Sequence, residues 1–564
     1  MGSTGNGIER REESLTPAMT TRNEITQSDP PVRKDAAPEA AAEPVRGANV
    51  FPLAVIELGT SAIRMAIGES DGTSRVRVQE QLVRGLSLGK DTFTQGEIQR
   101  TTLQETIKIL KSYRRKLKEY QCSDPKHIRI VATSAVREAT NRIEVLDRIY
   151  TATGLSVEMI DDAEIARVTY LGVRPLLQND ATLADGLTVV AEVGGGNTEV
   201  LVLKGKDIIH SQPYRLGSLR LQQMILHSQT TRSRMGSIMT GQIDRTLEPL
   251  LDLIPKGSPV EYVGLGGDMR FAARELGVEL PAFGLSRIAV ADLEVLTAKL
   301  LSLTVDRIMR KHHLELSQAE TLVPALLANL RLAQMLGCSN LHITGLNLRD
   351  ALLQGMLRSN DWSNDFCDQI VNAASELARR YQVDLQHARH VAELARTLFR
   401  SLQSEHHMDA RCETLLYVAA LLHEIGLFVG VSGYHKHSHY LISHSELFGL
   451  NEQDQQLVAM IARYHRRAAP KPTHELFARL DRDNRVVVSR LAGILRVAVA
   501  LDHTGSQRVR DIECTIERHR LVVTVRNSAG DLSLERMELR QKALLLEDTF
   551  GLGVLLRESP RSTA

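Results

Sequence analysis

Two short stretches set carboxylates beside small-residue turns that interrupt apolar runs. In "VVAEVGGGNTEVLVL", Val189 to Leu203, Glu192 precedes Gly194, Gly195 and Gly196, and Asn197, Thr198 and Glu199 follow. In "AVIELGTSAIRMAI", Glu57 precedes Gly59, Thr60 and Ser61 in the same outline. A hairpin tip without Cβ atoms lets backbone N–H groups crowd around an anion, and Asn197 and Thr198 add polar donors, so phosphate is the expected guest. Carboxylates beside phosphate repel it unless a divalent cation intervenes. Glu57, Glu192 and Glu199 therefore imply Mg²⁺ or Mn²⁺ on oxygen ligands. Arg137, in "SAVREA", would neutralise a further phosphate oxygen with its two-pronged guanidinium. One glycine hairpin need only turn the chain, and Gly59 alone would suggest nothing more. The repeated arrangement, followed by "GLGG" at Gly264 to Gly267, favours an anion site.

The elements that must position these groups follow from periodicity. "FPLAVIELGTSAIRMAIGE" and "SRVRVQEQLVRGLSL" read as a β-meander, and Leu103, Ile107, Leu110 and Leu117 recur at helical spacing. "HIRIVATSAVREATN" is a buried strand leading into a helix. A second half repeats the scheme: strand, glycine turn and strand at Leu187 to Leu203, strand, glycines and helix at Glu261 to Ala273, then "SNLHITGLNLRDALLQGML". Two such α/β halves suggest duplicated lobes around a cleft. After Leu357 long helical patterns rich in histidine run to about Thr504, and strand-like alternation with a final helix closes the chain.

At 564 residues the chain exceeds one ordinary core. Its 69 Lys and Arg balance 68 Asp and Glu, so no global field commits it to nucleic acid or an anionic membrane, and any anion site must be local. "KSYRRKLK" and "RIMRKHH" read as solvated helix faces. Five scattered cysteines without a CxxC pair fit a reducing compartment, with the cytoplasm as the default. Residues 1–49 carry no apolar signal core and read as a disordered tail, and no run approaches the ~20 apolar residues that span a bilayer.

With these residues assembled, the chain resembles the exopolyphosphatase / guanosine pentaphosphate phosphohydrolase (Ppx/GppA) family, a branch of the sugar kinase, heat-shock-70 and actin-like fold. "AVIELGTSAIRMAI" is similar to the first phosphate loop, "ATSAVREATN" to the arginine segment, "ARVTYLGV" to the helix after the catalytic carboxylate, "VVAEVGGGNTEVLVL" to the second phosphate loop and "YRLGSLRL" to the segment that follows. "LLHEIGLFVGVSGYHKHSHYLI" and "ARYHRRA" resemble the helical domain of the long, dimeric members. The resemblance implies hydrolysis of a terminal phosphoanhydride, with loops and metal stabilising the leaving phosphates while a carboxylate activates water.

The chain departs from that family at marked positions. Glu57 and Glu192 stand where the family has Asp, Asn197 where it has Ser, and Gly266 and Asp268 where it has Ser and Thr. Asp268 would push anions away. Anchoring "ARVTYLGV" places Ile165 at the catalytic Glu, with Glu164 one position earlier as the nearest replacement base. Arg137, Glu199, Arg215 and Arg349 are retained.

In the helical region His387, the His423-Glu424 pair and Asp502 fall in the order of an HD-type metal site, and such ligands suit Mn²⁺, Fe²⁺ or Zn²⁺. The long family members carry the same His-Glu pair, so the preferred reading is a domain that packs on the lobes and supports a dimer. His435, Lys436, His437, His465 and Arg466 read as the wall of a polyanion channel or, singly, as solvated helix ends. His406 and His407 read as loop residues.

The expected fold is therefore α/β: a tail (1–49), two ribonuclease-H-like lobes (50–180 and 181–357), an all-α HD-like domain (358–505) and a small α+β terminus (506–564). The expected function is a cytoplasmic, Mg²⁺- or Mn²⁺-dependent exopolyphosphatase-like phosphohydrolase acting on inorganic polyphosphate or guanosine pentaphosphate. Ile165 leaves open a sensor that binds these anions without turnover.

Overall fold

The computed structural model describes residues 51–70, 76–227, 232–255, 257–281, 284–357, 362–526 and 530–558. The expected tail, and the chain end beyond residue 558, lie outside them. Among the described residues no helix is long and apolar enough to cross a membrane.

Two sheets share one plan. The first comprises β1 (Pro52–Leu58), β2 (Ala62–Ser70), β3 (Val76–Gly85), β4 (Ile128–Ala132) and β5 (Glu158–Met159), in the order β3-β2-β1-β4-β5. The second comprises β6 (Leu187–Val193), β7 (Thr198–Lys204), β8 (Asp207–Tyr214), β9 (Val260–Leu265), β10 (Ser286–Ala289) and β11 (Asn340–Ile343), in the order β10-β11-β9-β6-β7-β8. Apart from the added edge strand β10, a three-stranded meander abuts parallel strands in both. This is the duplicated α/β lobe expected from the sequence. The central strand β1 is apolar apart from Glu57 because both its faces are covered: Ala54, Ile56 and Leu58 enter one core cluster, Leu53 and Val55 another.

The helix Asp162–Asn179 joins the lobes. Ile165 and Val168 pack against Leu53 and Val55 of the first sheet, whereas Tyr170, Val173 and Leu177 join the core that includes Val190 and Leu201 of the second. The helix Leu348–Leu357 returns to the first lobe through Ala351, Leu352 and Leu353.

Beyond residue 362 the helices Asn364–Arg380, Leu385–Ser401, Ala410–Leu422, Tyr434–Ser443, Glu452–Arg463 and Arg482–Leu501 surround one apolar core. The terminal strands β12 (Ile512–Glu517), β13 (Arg520–Val525) and β14 (Gly553–Glu558) and their helices bury Leu521, Val523, Leu539 and Leu546 in that same core. The helical region joins the lobes through a shared apolar core, through Gln369 on the Ile208 amide and Asp207, and through one lobe carboxylate. Asp161 accepts from the Glu164 amide at 2.8 Å and, with its other oxygen, from the Glu452 amide at 3.0 Å, so it caps two helices of different regions.

Gly493 is where the terminal elements come closest to the long helix: a Cβ there would lie 3.0 Å from the Leu546 Cα. Gly493→Val is expected to lower the unfolding free energy by ~1–3 kcal/mol, as overpacking does, in urea denaturation of the whole chain.

Candidate active site

Each lobe's first hairpin ends in a tip of the same construction. The last paired residues are Leu58 and Ile63 in one and Val193 and Thr198 in the other, leaving four residues at each turn. The first glycine amide donates to the fourth residue's carbonyl in both, Gly59 to Ala62 at 3.1 Å and Gly194 to Asn197 at 2.9 Å.

The carbonyls of these tips are spoken for. Thr60 and Ser61 accept from the Gly89 and Leu86 amides, Gly194 from Ser218, and Gly195 from Leu219. Gly196 accepts from the Arg220 Nε at 2.7 Å, while the same guanidinium stacks 3.9 Å from the Phe93 ring centre and grips Glu138. Among the described residues the amides of Thr60, Ser61, Gly195, Gly196 and Asn197 have no partner. Unpaired N–H groups in half-buried turns favour an anion.

The tips also touch. A Cβ on Gly195 would fall 2.6 Å from the Thr60 Cγ2, and one on Gly196 2.6 Å from the Ser134 Oγ. The Thr198 hydroxyl, expected as a phosphate donor, is buried and given to the Leu216 carbonyl instead.

The carboxylates separate into different roles. Glu57 faces Arg64 across the first hairpin, 3.3 Å from its guanidinium, and also pairs with Arg349 from the helix Leu348–Leu357. Burial opposes its charge, but Arg349 and Arg64 outweigh burial and hold its carboxyl below the ordinary 4.5. Neutralised by two cations, Glu57 does not fit the metal-ligand role expected of it.

In the second hairpin Glu192 faces Glu199, not an arginine. Burial is the main cause that raises both carboxyls. Arg270 opposes and Glu57 reinforces the effect at Glu192, while Asp162 reinforces it at Glu199, which lies well above 4.5. Two like groups side by side across a hairpin fit a divalent cation or a shared proton.

Arg137 donates to the Ile160 carbonyl at 2.7 Å and pairs with Asp162, and it acts on Glu199. Asp162 and Glu446, from the helical region, are thus the cleft carboxylates the sequence reading missed. The signal for Asp162 was the doubled Asp after β5, one residue capping the helix and the next turning inward.

Glu164, expected as the replacement base, is engaged by two arginines. It is bidentate to Arg167 at 2.6 and 2.8 Å, bonded to Arg129 at 3.1 Å, and lines a cavity of about 760 Å³ that Arg137 also borders, with Trp362, Arg411 and Asn451. Ile165 is buried in the first lobe's core. Arg215 is largely exposed, and Arg220 does the holding near the loop.

At the third glycine turn, Gly266 has a left-handed φ of 112° and Asp268 fills the helix start. Asp268 accepts from Asn329 at 2.7 Å, and burial lifts its carboxyl to about 7. In the helical region His465 is buried and bonded to the Tyr434 hydroxyl at 2.9 Å, so it belongs to the interior rather than to a channel wall. His435 and His437 are half-buried, Lys436 is exposed, and Arg466 lies 4.8 Å over the Tyr434 ring. His406 is not a loop residue but a buried one, bonded to the Phe399 carbonyl and the Met408 amide.

Residues 55–360 match the Ppx/GppA phosphatase family and residues 371–548 match Ppx/GppA phosphatase, domain III. A guanosine-5'-triphosphate,3'-diphosphate pyrophosphatase of Photobacterium profundum is 22% identical over 523 residues, covering 90% of this chain and 99% of that protein. Its counterpart in Aliivibrio fischeri is 23% identical, covering 81% and 88%. Among solved structures, an exopolyphosphatase from Cytophaga hutchinsonii is 21% identical with a TM-score of 0.48, covering 54% of this chain and 97% of that one.

Removing Arg349 leaves Glu57 buried with Arg64 as its one remaining ion-pair partner. Arg349→Met is expected to cost about 3 kcal/mol at pH 7 in urea denaturation, the order seen when a buried pair is broken. Because the Glu57 carboxyl is held below 4.5, the pair's contribution is complete above pH 4.5 and is lost as pH falls through the lowered value. The gap between variant and wild type should therefore narrow on acidification, and Glu57→Gln added to the variant should restore part of the loss.

Proposed function

Since the chain belongs to the Ppx/GppA phosphatase family, we propose that it releases terminal phosphate from a linear phosphoanhydride, inorganic polyphosphate or guanosine pentaphosphate, in the cleft between the lobes. The observation that carries this reading is the set of five unpartnered amides at two touching hairpin tips. Substrate entry requires the tips to part, and the amides of Thr60, Ser61, Gly195, Gly196 and Asn197 then receive the phosphate oxygens. Arg137 exchanges Asp162 for a phosphate oxygen.

Glu199 is the general base in this reading. Its carboxyl lies well above the ordinary range through burial and the nearby Asp162, which suits proton abstraction from water near neutrality. Glu192 would hold a Mg²⁺ or Mn²⁺ ion, which supplies neutralisation of charge on the phosphates. Glu57, locked between Arg349 and Arg64, shapes the first hairpin.

The homodimer and cytoplasmic location belong to the same reading. An exposed apolar run, Leu427, Phe428, Val429 and Val431, offers a face for a second copy.

In a phosphate-release assay with long-chain polyphosphate, Glu199→Gln is expected to lower kcat ~10²–10⁴-fold, and Glu164→Gln to leave it near wild type. The wild-type rate should rise with pH through an ionisation above 4.5, a limb that Glu199→Gln removes. Polyphosphate bound without release of phosphate would sink this reading, as would a larger loss in Glu164→Gln than in Glu199→Gln. For the dimer, Phe428→Asp with Val431→Asp should convert the sedimenting species to a monomer.

A further inference from the structure

Two buried histidines of the helical region share the same local wiring but differ at one atom. His423 and His465, 5.0 Å apart between ring centres, each place Nδ1 against the carbonyl three residues earlier, Ala420 at 2.7 Å and Ala462 at 2.6 Å. A carbonyl only accepts, so Nδ1 carries the proton in both rings and Nε2 is left as a lone pair. On His465 that lone pair accepts from the Tyr434 hydroxyl at 2.9 Å. On His423, which is fully buried, Nε2 has no partner among the described residues, and the Glu424 Oε1 stands 3.9 Å away, beyond hydrogen-bond reach.

A buried lone pair without a donor is costly, and its neighbours explain what would satisfy it. His387, from the helix Leu385–Ser401, lies with its ring centre 5.9 Å from that of His423. One ligand atom from each of His387, His423 and Glu424 falls within 4.8 Å of the others, the one such trio among the described residues. His387 is already oriented. Its Nδ1 sits 2.8 Å from the Asp502 Oδ2, and the other Asp502 oxygen accepts the Gln507 amide at 2.8 Å, leaving the His387 Nε2 to offer.

From this geometry we infer that His387, His423 and Glu424 form a site for a divalent transition metal, separate from the interlobe cleft, with Asp502 as the positioning residue behind His387. Two imidazole nitrogens and one carboxylate suit Mn²⁺, Fe²⁺, Co²⁺ or Zn²⁺ rather than Mg²⁺, which prefers oxygen. A carboxylate behind a ligand histidine fixes its tautomer and direction, as at known metal centres.

The test is titration of the full chain, stripped with chelator, with Co²⁺ alone, read by the visible absorption of nitrogen-ligated cobalt. One equivalent is expected to account for this band, displaced by Zn²⁺ and accompanied by a rise in thermal midpoint. Glu424→Gln, at a half-exposed position, should weaken Co²⁺ binding at least tenfold, and His387→Ala should abolish the absorption band. Asp502→Asn should weaken binding while keeping the band. His444→Gln, at an exposed position outside the trio, should change none of these. Absence of a band in wild type overturns the inference, as does full retention of it in both Glu424→Gln and His387→Ala, or its loss in His444→Gln.

Discussion

The arrangement at the cleft depends on there being no side chain where the two hairpin tips meet. Gly195 lies against Thr60, and Gly196 against Ser134 and Phe93, at distances that a Cβ would violate. That contact leaves backbone groups, not side chains, lining the turns. The carbonyls turn outward to Arg220, Leu219 and Ser218, and the amides remain for a guest. In the proposed reading, an anion held by main-chain N–H groups meets donors that need no rotamer ordering once the tips have parted.

The two lobes repeat a backbone plan but differ in their electrostatics. Across the first hairpin a carboxylate faces an arginine, Glu57 and Arg64, with Arg349 added from a helix after the second lobe. Across the second, Glu192 faces Glu199. The first pair is closed upon itself and gives rigidity. The second is left with raised carboxyls, the condition in which a carboxylate binds a cation or moves a proton near neutrality. Duplication thus gave one structural copy and one chemically disposed copy.

The helical region is more than an appendage. Asp161 caps a helix of each region, and Glu446 acts electrostatically on Glu199. It holds a polar cluster, His387, His423, His465, Tyr434 and Asp502, beside its apolar core. In such surroundings every unpaired nitrogen counts, which is why one difference between His423 and His465 carries weight.

The sequence by itself determined the duplicated α/β lobes, the two glycine hairpins and the histidine-rich helical region, because hydrophobic period and glycine placement are local properties. It also pointed to Glu192, Glu199 and Arg137. Tertiary structure alone decided which carboxylates are spent. Arg349 reaches Glu57 across 292 positions of chain, Arg129 reaches the helical Glu164 from a strand, and Asp162 turns toward Arg137 because Asp161 has taken the cap. Likewise the ordering of histidines suggested a metal set, but only packing left one lone pair of His423 without a donor and gave His465 to Tyr434. Partners distant in sequence fix a charge's fate, and no spacing rule along the chain encodes them.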